Sequence, residues 1–242
     1  MSGRRSPVSR WLIAACAALA VLPVAPLMAD QPGRGQTATF EIEFLRFTMD
    51  HHFAALRMTE LAAGTDPRRD EGITANEGTS PTPGFAASSA KATLDDLKSL
   101  ARRNNRMQRE EIGTLRRMLR DWYGLDHEPR VRGDARASID LLERASPGAS
   151  FNHTFYEVFS RHHYGLLEPL NACLTGTEIK HEDLRRECRT MWHSQTADID
   201  MMRRELLRHF GIADYQPFEP RQPFHGSGRP RGGHGGGEPS VR

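Results

Sequence analysis

The chain has 242 residues, with 33 Lys plus Arg, 31 Asp plus Glu, 11 His, 3 Cys and 38% hydrophobic residues; its mean hydropathy is −0.60. That length suits one compact domain or two small ones, and so thin an apolar share implies segments outside any core. The formal charge is +2, but Arg4, Arg5 and Arg10 lie in the first 29 residues, which carry no acid; without them 30 bases face 31 acids, about −1, which excludes the strong basic excess of a nucleic-acid binder.

Residues 1–29 read as an export signal. A basic start leads into an apolar run from Trp11 to Leu27, and Leu27-Met28-Ala29 ends it at a small residue suited to cleavage. The run holds Pro23 and Pro26 and, at about 17 residues, is marginal for a span, which leaves an uncleaved anchor as the competing reading. Ile13-Ala14-Ala15-Cys16 resembles a lipoprotein box only loosely, because the apolar run continues past Cys16. The surroundings of Arg4-Arg5 fit a twin-arginine signal poorly. The mature chain is therefore expected in the periplasm or secreted, free of the membrane after cleavage, where disulfides are permitted.

After a polar linker at 30–39, a helical pattern covers 40–64, with Phe44, Phe47, Ala54, Ala55, Met58 and Leu61 at core spacing and Gly64 as its stop. Residues 65–92 are rich in Gly, Pro, Ser, Thr and Ala and read as a mobile loop. A second helix over 94–123 ends at Gly124. Its arginines, including Arg103, Arg109 and Arg116, are interleaved with acids and read as a solvated face rather than an anion site. The linker 125–150 holds a short helix near 137–145, ended by Pro147-Gly148. Long helices follow at 151–174 and 181–210, the latter stopped by Gly211; Pro169 is placed to kink the former. The tail, 215–242, is Pro, Gly, Arg and His and is expected to be disordered. No stretch alternates with period 2, so no strands are expected.

Cys173 and Cys188 flank the turn Thr175-Gly176-Thr177. Two antiparallel helices joined there would bring them together, so a disulfide is expected. Two buried thiols, or less favourably a thiolate ligand, are the alternatives. There is no CxxC pair or zinc-finger spacing.

The chain also repeats itself. At an offset of 111, His51-His52 falls on His162-His163 and Phe53 on Tyr164. At an offset of 87, Gln108 falls on Gln195, Glu111 on Asp198, Ile112 on Ile199 and Gly124 on Gly211. The longer first loop absorbs the difference. Residues 40–124 and 151–214 thus read as two copies of one helical hairpin. A lone hairpin cannot bury both its apolar stripes, so the two should pair as an all-α four-helix bundle.

Positions i and i+7 share a helix face, which aligns His51 with Met58 and Phe44 on a core stripe. Met107 and Glu111 form an i, i+4 pair on the second helix. Met191, Gln195, Asp198 and Met202 form an inward series on the last. Imidazole with thioether is a soft ligand set suited to copper(I) or silver(I), and bundles build such sites from facing helices. The competing reading is a core in which Met fills gaps and His bonds a neighbouring amide or acid. Glu is followed by His three residues later only at Glu178-x-x-His181, without the paired Glu-x-x-His motifs and further Glu ligands of a di-iron bundle, and neither Gly-x-Ser-x-Gly nor HExxH occurs, so no enzymatic activity is expected. His225 and His234 lie among tail glycines and read as part of a solubilising tail.

Phe44-Leu45, His51-His52-x-x-Ala55-x-x-Met58 and Gln108-x-x-Glu111-Ile112, with His162-His163 and Gln195-x-x-Asp198-Ile199-x-x-Met202, resemble the CopM-like family of exported domains of unknown function. The resemblance covers about 40–124 and 151–211. It implies a ferritin-like four-helix bundle and, for some members, periplasmic copper or silver binding. The chain departs from the family where Thr48 and Phe159 replace a Met three residues before each His pair, where Leu115 replaces a Met in the first repeat, and where Pro169 stands at the counterpart of Met58. The resemblance and the His/Met stripes together imply a protein whose partner is a metal ion. Copper(I) or silver(I) would be held for buffering or resistance, with His51, His52, Met58, Met107, Glu111, His162, His163 and Met202 as candidate ligands. The alternative is a non-catalytic structural or interaction bundle that has lost metal binding.

Overall fold

A computed structural model describes residues 31–66 and 79–218. The expected leader, the middle of the 65–92 segment and the tail from 219 lie outside the described residues. Within them the protein is all-helical, with no strand: α1 (Gln36–Ala63), α2 (Asp95–Tyr123), α3 (Gly133–Arg144), α4 (Ala149–Thr175) and α5 (Glu182–Phe210).

The ends of α2 and α5 follow the same electrostatic logic. Asp95 and Asp96 open α2, and Glu182 and Asp183 open α5, beside exposed backbone N–H groups. Arg120 closes α2, Arg208 and His209 close α5, and both helices stop on a left-handed glycine, Gly124 and Gly211. α4 continues through Pro169 as one helix. α1 begins four residues earlier than the apolar spacing suggests and α3 begins at Gly133 rather than near 137.

α1 packs on α2, α4 on α5, and α1 on α4; α3 lies over both α1 and α4. The core divides into two apolar clusters. One gathers Met58, Leu61, Ile139, Leu142, Phe151, Phe155, Phe159, Met202 and Leu206. The other gathers Phe44, Leu45, Met49, Ile112, Leu119, Leu166, Leu170 and Met191 with both cysteines. Cys173 and Cys188 are joined as a disulfide, at the end of the bundle where α4 turns into α5.

The 79–92 part of the segment read as a mobile loop packs as a strap. Ser88 and Thr65 exchange hydrogen bonds, and the N–H groups of Lys91 and Ala92 donate to the carbonyls of Leu61 and Ala62 at the end of α1. The strap thereby satisfies carbonyls that the helix itself leaves open. Ser80 and Thr82, which are part of it, are fully buried. Its burial overturns one detail of the arginine reading. Arg109 is 1% exposed. Its guanidinium donates to Asn105 within α2, to the Ser80 carbonyl and to Glu60. Arg102, Arg103, Arg106, Arg117 and Arg120 do lie at the surface. A charge pattern along one helix cannot register a loop folding onto it.

Candidate functional site

Between the two apolar clusters every long helix places a polar residue. His52 lies on α1, Gln108 on α2, His163 on α4 and Gln195 on α5, each at most 1% exposed. In α2, α4 and α5, cluster residues of one set lie before this position and those of the other after it, while in α1 the two sets overlap just past His52, where Phe53 and Leu56 still belong with Phe44 and Leu45. The result is a buried polar layer across the middle of the bundle, joined by Asn104, Glu111 and Asp198.

The histidines in and beside this layer are held in a reciprocal arrangement. His51 donates through Nε2 to the His162 carbonyl (3.0 Å), and His162 donates through Nε2 to the His51 carbonyl (3.2 Å). Their rings stack with centroids 3.7 Å apart and planes 15° from parallel. A carbonyl oxygen only accepts, so both imidazoles carry the proton on Nε2 and a lone pair on Nδ1. Burial first, and then the neighbouring imidazoles, push His51 well below the usual histidine range and His162 down to about 3. Both keep an edge at the surface of a cleft lined by Asp50, Arg132 and Arg161, which tempers the desolvation but not the ring-on-ring repulsion.

His52 and His163 each face an acid of their own hairpin. His52 Nε2 lies 2.8 Å from Glu111 Oε2. The approach is close but poorly aligned for a hydrogen bond, and neither atom has another partner. His163 Nε2 lies 3.3 Å from Asn104 Oδ1 and 3.5 Å from Asp198 Oδ2. Asp198 also accepts from Arg103 at 2.9 Å. Burial raises the Asp198 carboxyl, but hydrogen bonds from His163 and Asn104 and the charge of Arg103 outweigh it, and the net shift is downward. The Nδ1 atoms of His51, His52 and His163 are buried with no partner, as are both amide atoms of Gln195 and Oε1 of Gln108. Buried polar atoms are ordinarily paired, so a layer with this many open ones is unusual.

The structure thus brings together His51 with His162 and His52 with Glu111, and places His163 beside Asp198. It gathers Met58 and Met202 into the apolar cluster with Phe155 and Phe159, while Met107 is half-buried on α2. The physical reason is axial distance. Seven residues return a side chain to the same face but carry it about 10 Å along the helix, into the next layer of the core. Among the described residues, no three His, Cys, Asp or Glu side chains converge on one point that a metal could occupy. The chemistry of the donors nonetheless suits a metal. His51 and His162 keep their lone pairs on Nδ1, and His52 and His163 have a carboxylate near Nε2, the usual surroundings of a ligand imidazole.

A family model, Domain of unknown function (DUF305), matches residues 86–206, half of the chain. The chain belongs to this family. The match opens in the strap and runs through α2, α3 and α4 to the last turn and a half of α5, leaving α1 and its His51-His52 outside. No curated protein and no solved structure matches the chain. None of the helices among the described residues is long and apolar enough to cross a membrane.

Sequence reasoning missed two other buried clusters. One is Arg109–Glu60–Thr82 under the strap, where Thr82 donates to Glu60. The other centres on Glu41, which accepts hydrogen bonds from the N–H groups of Lys180 and His181, from His181 Nδ1 and from the Tyr123 hydroxyl. His181 in turn lies flat on Trp122, centroids 3.9 Å apart. Neither pairing leaves a mark at helical spacing, because each joins residues from separate elements.

Proposed function

We propose that the chain is an exported, non-catalytic metal-binding bundle. Two related hairpins enclose a histidine layer that takes copper(I), or silver(I) as its surrogate, for buffering or resistance. The proposal includes a ferritin-like arrangement of the two repeats and a periplasmic location. The observation that carries it is the set of buried, unpartnered Nδ1 atoms on His51, His52 and His163. Neutral imidazole is the ligating form, and His51 and His162 are held neutral by burial and mutual repulsion. On this reading His52 and His163 hold the metal, Glu111 and Asp198 orient their rings, and Met58 and Met202 serve the core. A soft monovalent ion accepts low coordination by imidazole nitrogen, which is the chemistry this layer offers.

The test is copper(I) titration of residues 30–242 against a competing chelator, with ascorbate as reductant. Binding that is lost in His52→Gln/His163→Gln and kept in Met58→Leu/Met202→Leu supports the imidazole layer. Binding that survives both double variants, or no binding by the parent chain, overturns it. A second reading is favoured by the close His52–Glu111 and His163–Asn104 contacts: a structural layer that sets the register of the two hairpins. It predicts no metal binding and loss of thermal stability in the histidine variant alone.

A further inference from the structure

The seam between α1 and α4 extends both ways from the His51–His162 stack. α1 residues before His51 line it together with α4 residues after His162, so the two helices run antiparallel. On one side α3 fills the seam. Its Ala135, Ile139 and Leu142, at i, i+4 and i+7, join the cluster of Met58, Phe155 and Phe159. On the other side the seam stays open as a cleft of about 210 Å³ lined by Phe40, Glu43, Phe44, Phe47 and Pro169. Three aromatic rings and a proline around one opening form a surface that ordinarily has an occupant.

The end of the described chain points to that occupant. Tyr215 is pinned on α4 by its hydroxyl, which donates to the Glu157 carbonyl. Three residues on, the Phe218 ring rests on Tyr164, centroids 5.0 Å apart. Residues 215–218 therefore climb α4 from Glu157 to Tyr164, in the direction of Pro169. The triplet Gln216-Pro217-Phe218 then recurs as Gln222-Pro223-Phe224. From Phe218 to Phe224 an extended chain reaches about 20 Å. From Tyr164 to Pro169 is about 7.5 Å of helical rise, plus part of a helix width of about 10 Å. Glu43 and Glu168 are exposed on either side of the cleft, and the intervening segment carries Arg221. Pro217, Pro220 and Pro223 stiffen the segment and lower the entropy lost on docking.

We infer that residues 219–224 dock on the bundle, with Phe224 seated in the Phe40–Phe44–Phe47–Pro169 cleft and Arg221 beside Glu43 and Glu168. The second Gln-Pro-Phe triplet then continues along α4 the aromatic contact that the first makes with Tyr164.

Cysteine cross-linking in residues 30–242 tests this, with the Cys173–Cys188 disulfide left oxidised. Glu43→Cys is paired with His225→Cys, which keeps Phe224, and in a control with Ser240→Cys farther along the same tail. Docking raises the effective concentration of the first pair, so its intramolecular cross-link forms at least about fivefold faster than the control. Adding Phe224→Ala removes the difference. Equal rates for the two pairs overturn the inference. So does a product that is chiefly a cross-linked dimer at dilute protein, which would assign the cleft to a second copy. Neither result bears on the metal titration.

Discussion

At the scale of single residues, the stacked His51 and His162 set an acid limit on the fold. Each ring is held by the other's backbone carbonyl, and a proton on either brings positive charge against an imidazole face 3.7 Å away. The folded-state pKa values lie below the ordinary 6.5, about 3 for His162. The contribution of the stack is therefore complete above about pH 6.5 and is lost as pH falls, because the unfolded chain takes up protons that the folded stack refuses. For His162 this amounts to at most about 2 kcal/mol at pH 5. His162→Phe keeps a flat ring on His51 and leaves the His162 carbonyl in place, so His51 retains its acceptor. Urea unfolding at pH 8 and pH 5 should show the parent losing more stability between the two than the variant does. Equal losses would mean that the stack is not the acid-sensitive element. The equivalence of these residues was legible in sequence through the 111-residue offset, though not their contact, and helical spacing turned His51 toward the core. The separation of Met58 from them was not, because a helical wheel projects out the axial coordinate that puts the thioether a layer away.

Among the elements, the strap at 79–92 shows how a segment without regular structure becomes part of the core. Composition identified it as irregular, correctly as to secondary structure. Composition could not reveal that Ser80 and Thr82 would be buried, because Gly, Pro, Ser and Thr are equally at home in a packed turn and a free loop. The strap is held from below by Glu60, which faces Thr82 of the strap, Arg109 of α2 and Arg57 one turn earlier on α1, with Asn105 accepting from Arg109 and donating to Thr59. Arg57 is itself drawn to Glu143 of α3 at 2.9 Å. Burial raises the Glu60 carboxyl to about 7 against the opposing pull of Thr82 and the two arginines. A carboxyl raised in the folded state binds its proton more tightly there than in the unfolded chain. Stability is therefore greatest below about pH 4.5 as far as Glu60 is concerned, and declines as pH rises from 4.5 to 7, by on the order of 3 kcal/mol. Glu60→Gln should flatten that slope while keeping an acceptor for Thr82. Hydrogen exchange of the Lys91 and Ala92 amides, which donate to the end of α1, reads the strap directly. Their protection should fall between pH 5 and pH 8 in the parent, after correction for intrinsic exchange, and stay level in the variant. Parallel behaviour in both proteins would remove Glu60 as the controlling group.

For the molecule as a whole, the polar layer divides the core into two apolar halves that are secured by different means. The half containing Phe151 and Ile139 is covered by α3 and the strap. The other half relies on the Cys173–Cys188 bridge and on Glu41, which ties the start of α1 to the α4–α5 turn through Lys180 and His181. The bridge closes a loop of 15 residues, so its removal releases about 3 kcal/mol of constraint on the unfolded chain. Cys173→Ala/Cys188→Ala should lower the melting temperature by roughly 5–12 °C for a chain of this size. The variant should still fold at 25 °C, because Glu41 continues to hold the turn. Glu41 remains ionised well into acid: its hydrogen bonds, led by that from Tyr123, outweigh the burial that would raise its pKa. Replacing it with Ala strands the Lys180 and His181 N–H groups and costs more than replacing an exposed acid. The bridge and Glu41 restrain the same turn, so their losses should compound. Combining Glu41→Ala with the cysteine pair should lower stability by more than the sum of the two separate changes, with exchange concentrated at residues 173–188. Strict additivity in calorimetry would show that the two restraints act independently, and that the turn is not the shared unit this arrangement implies.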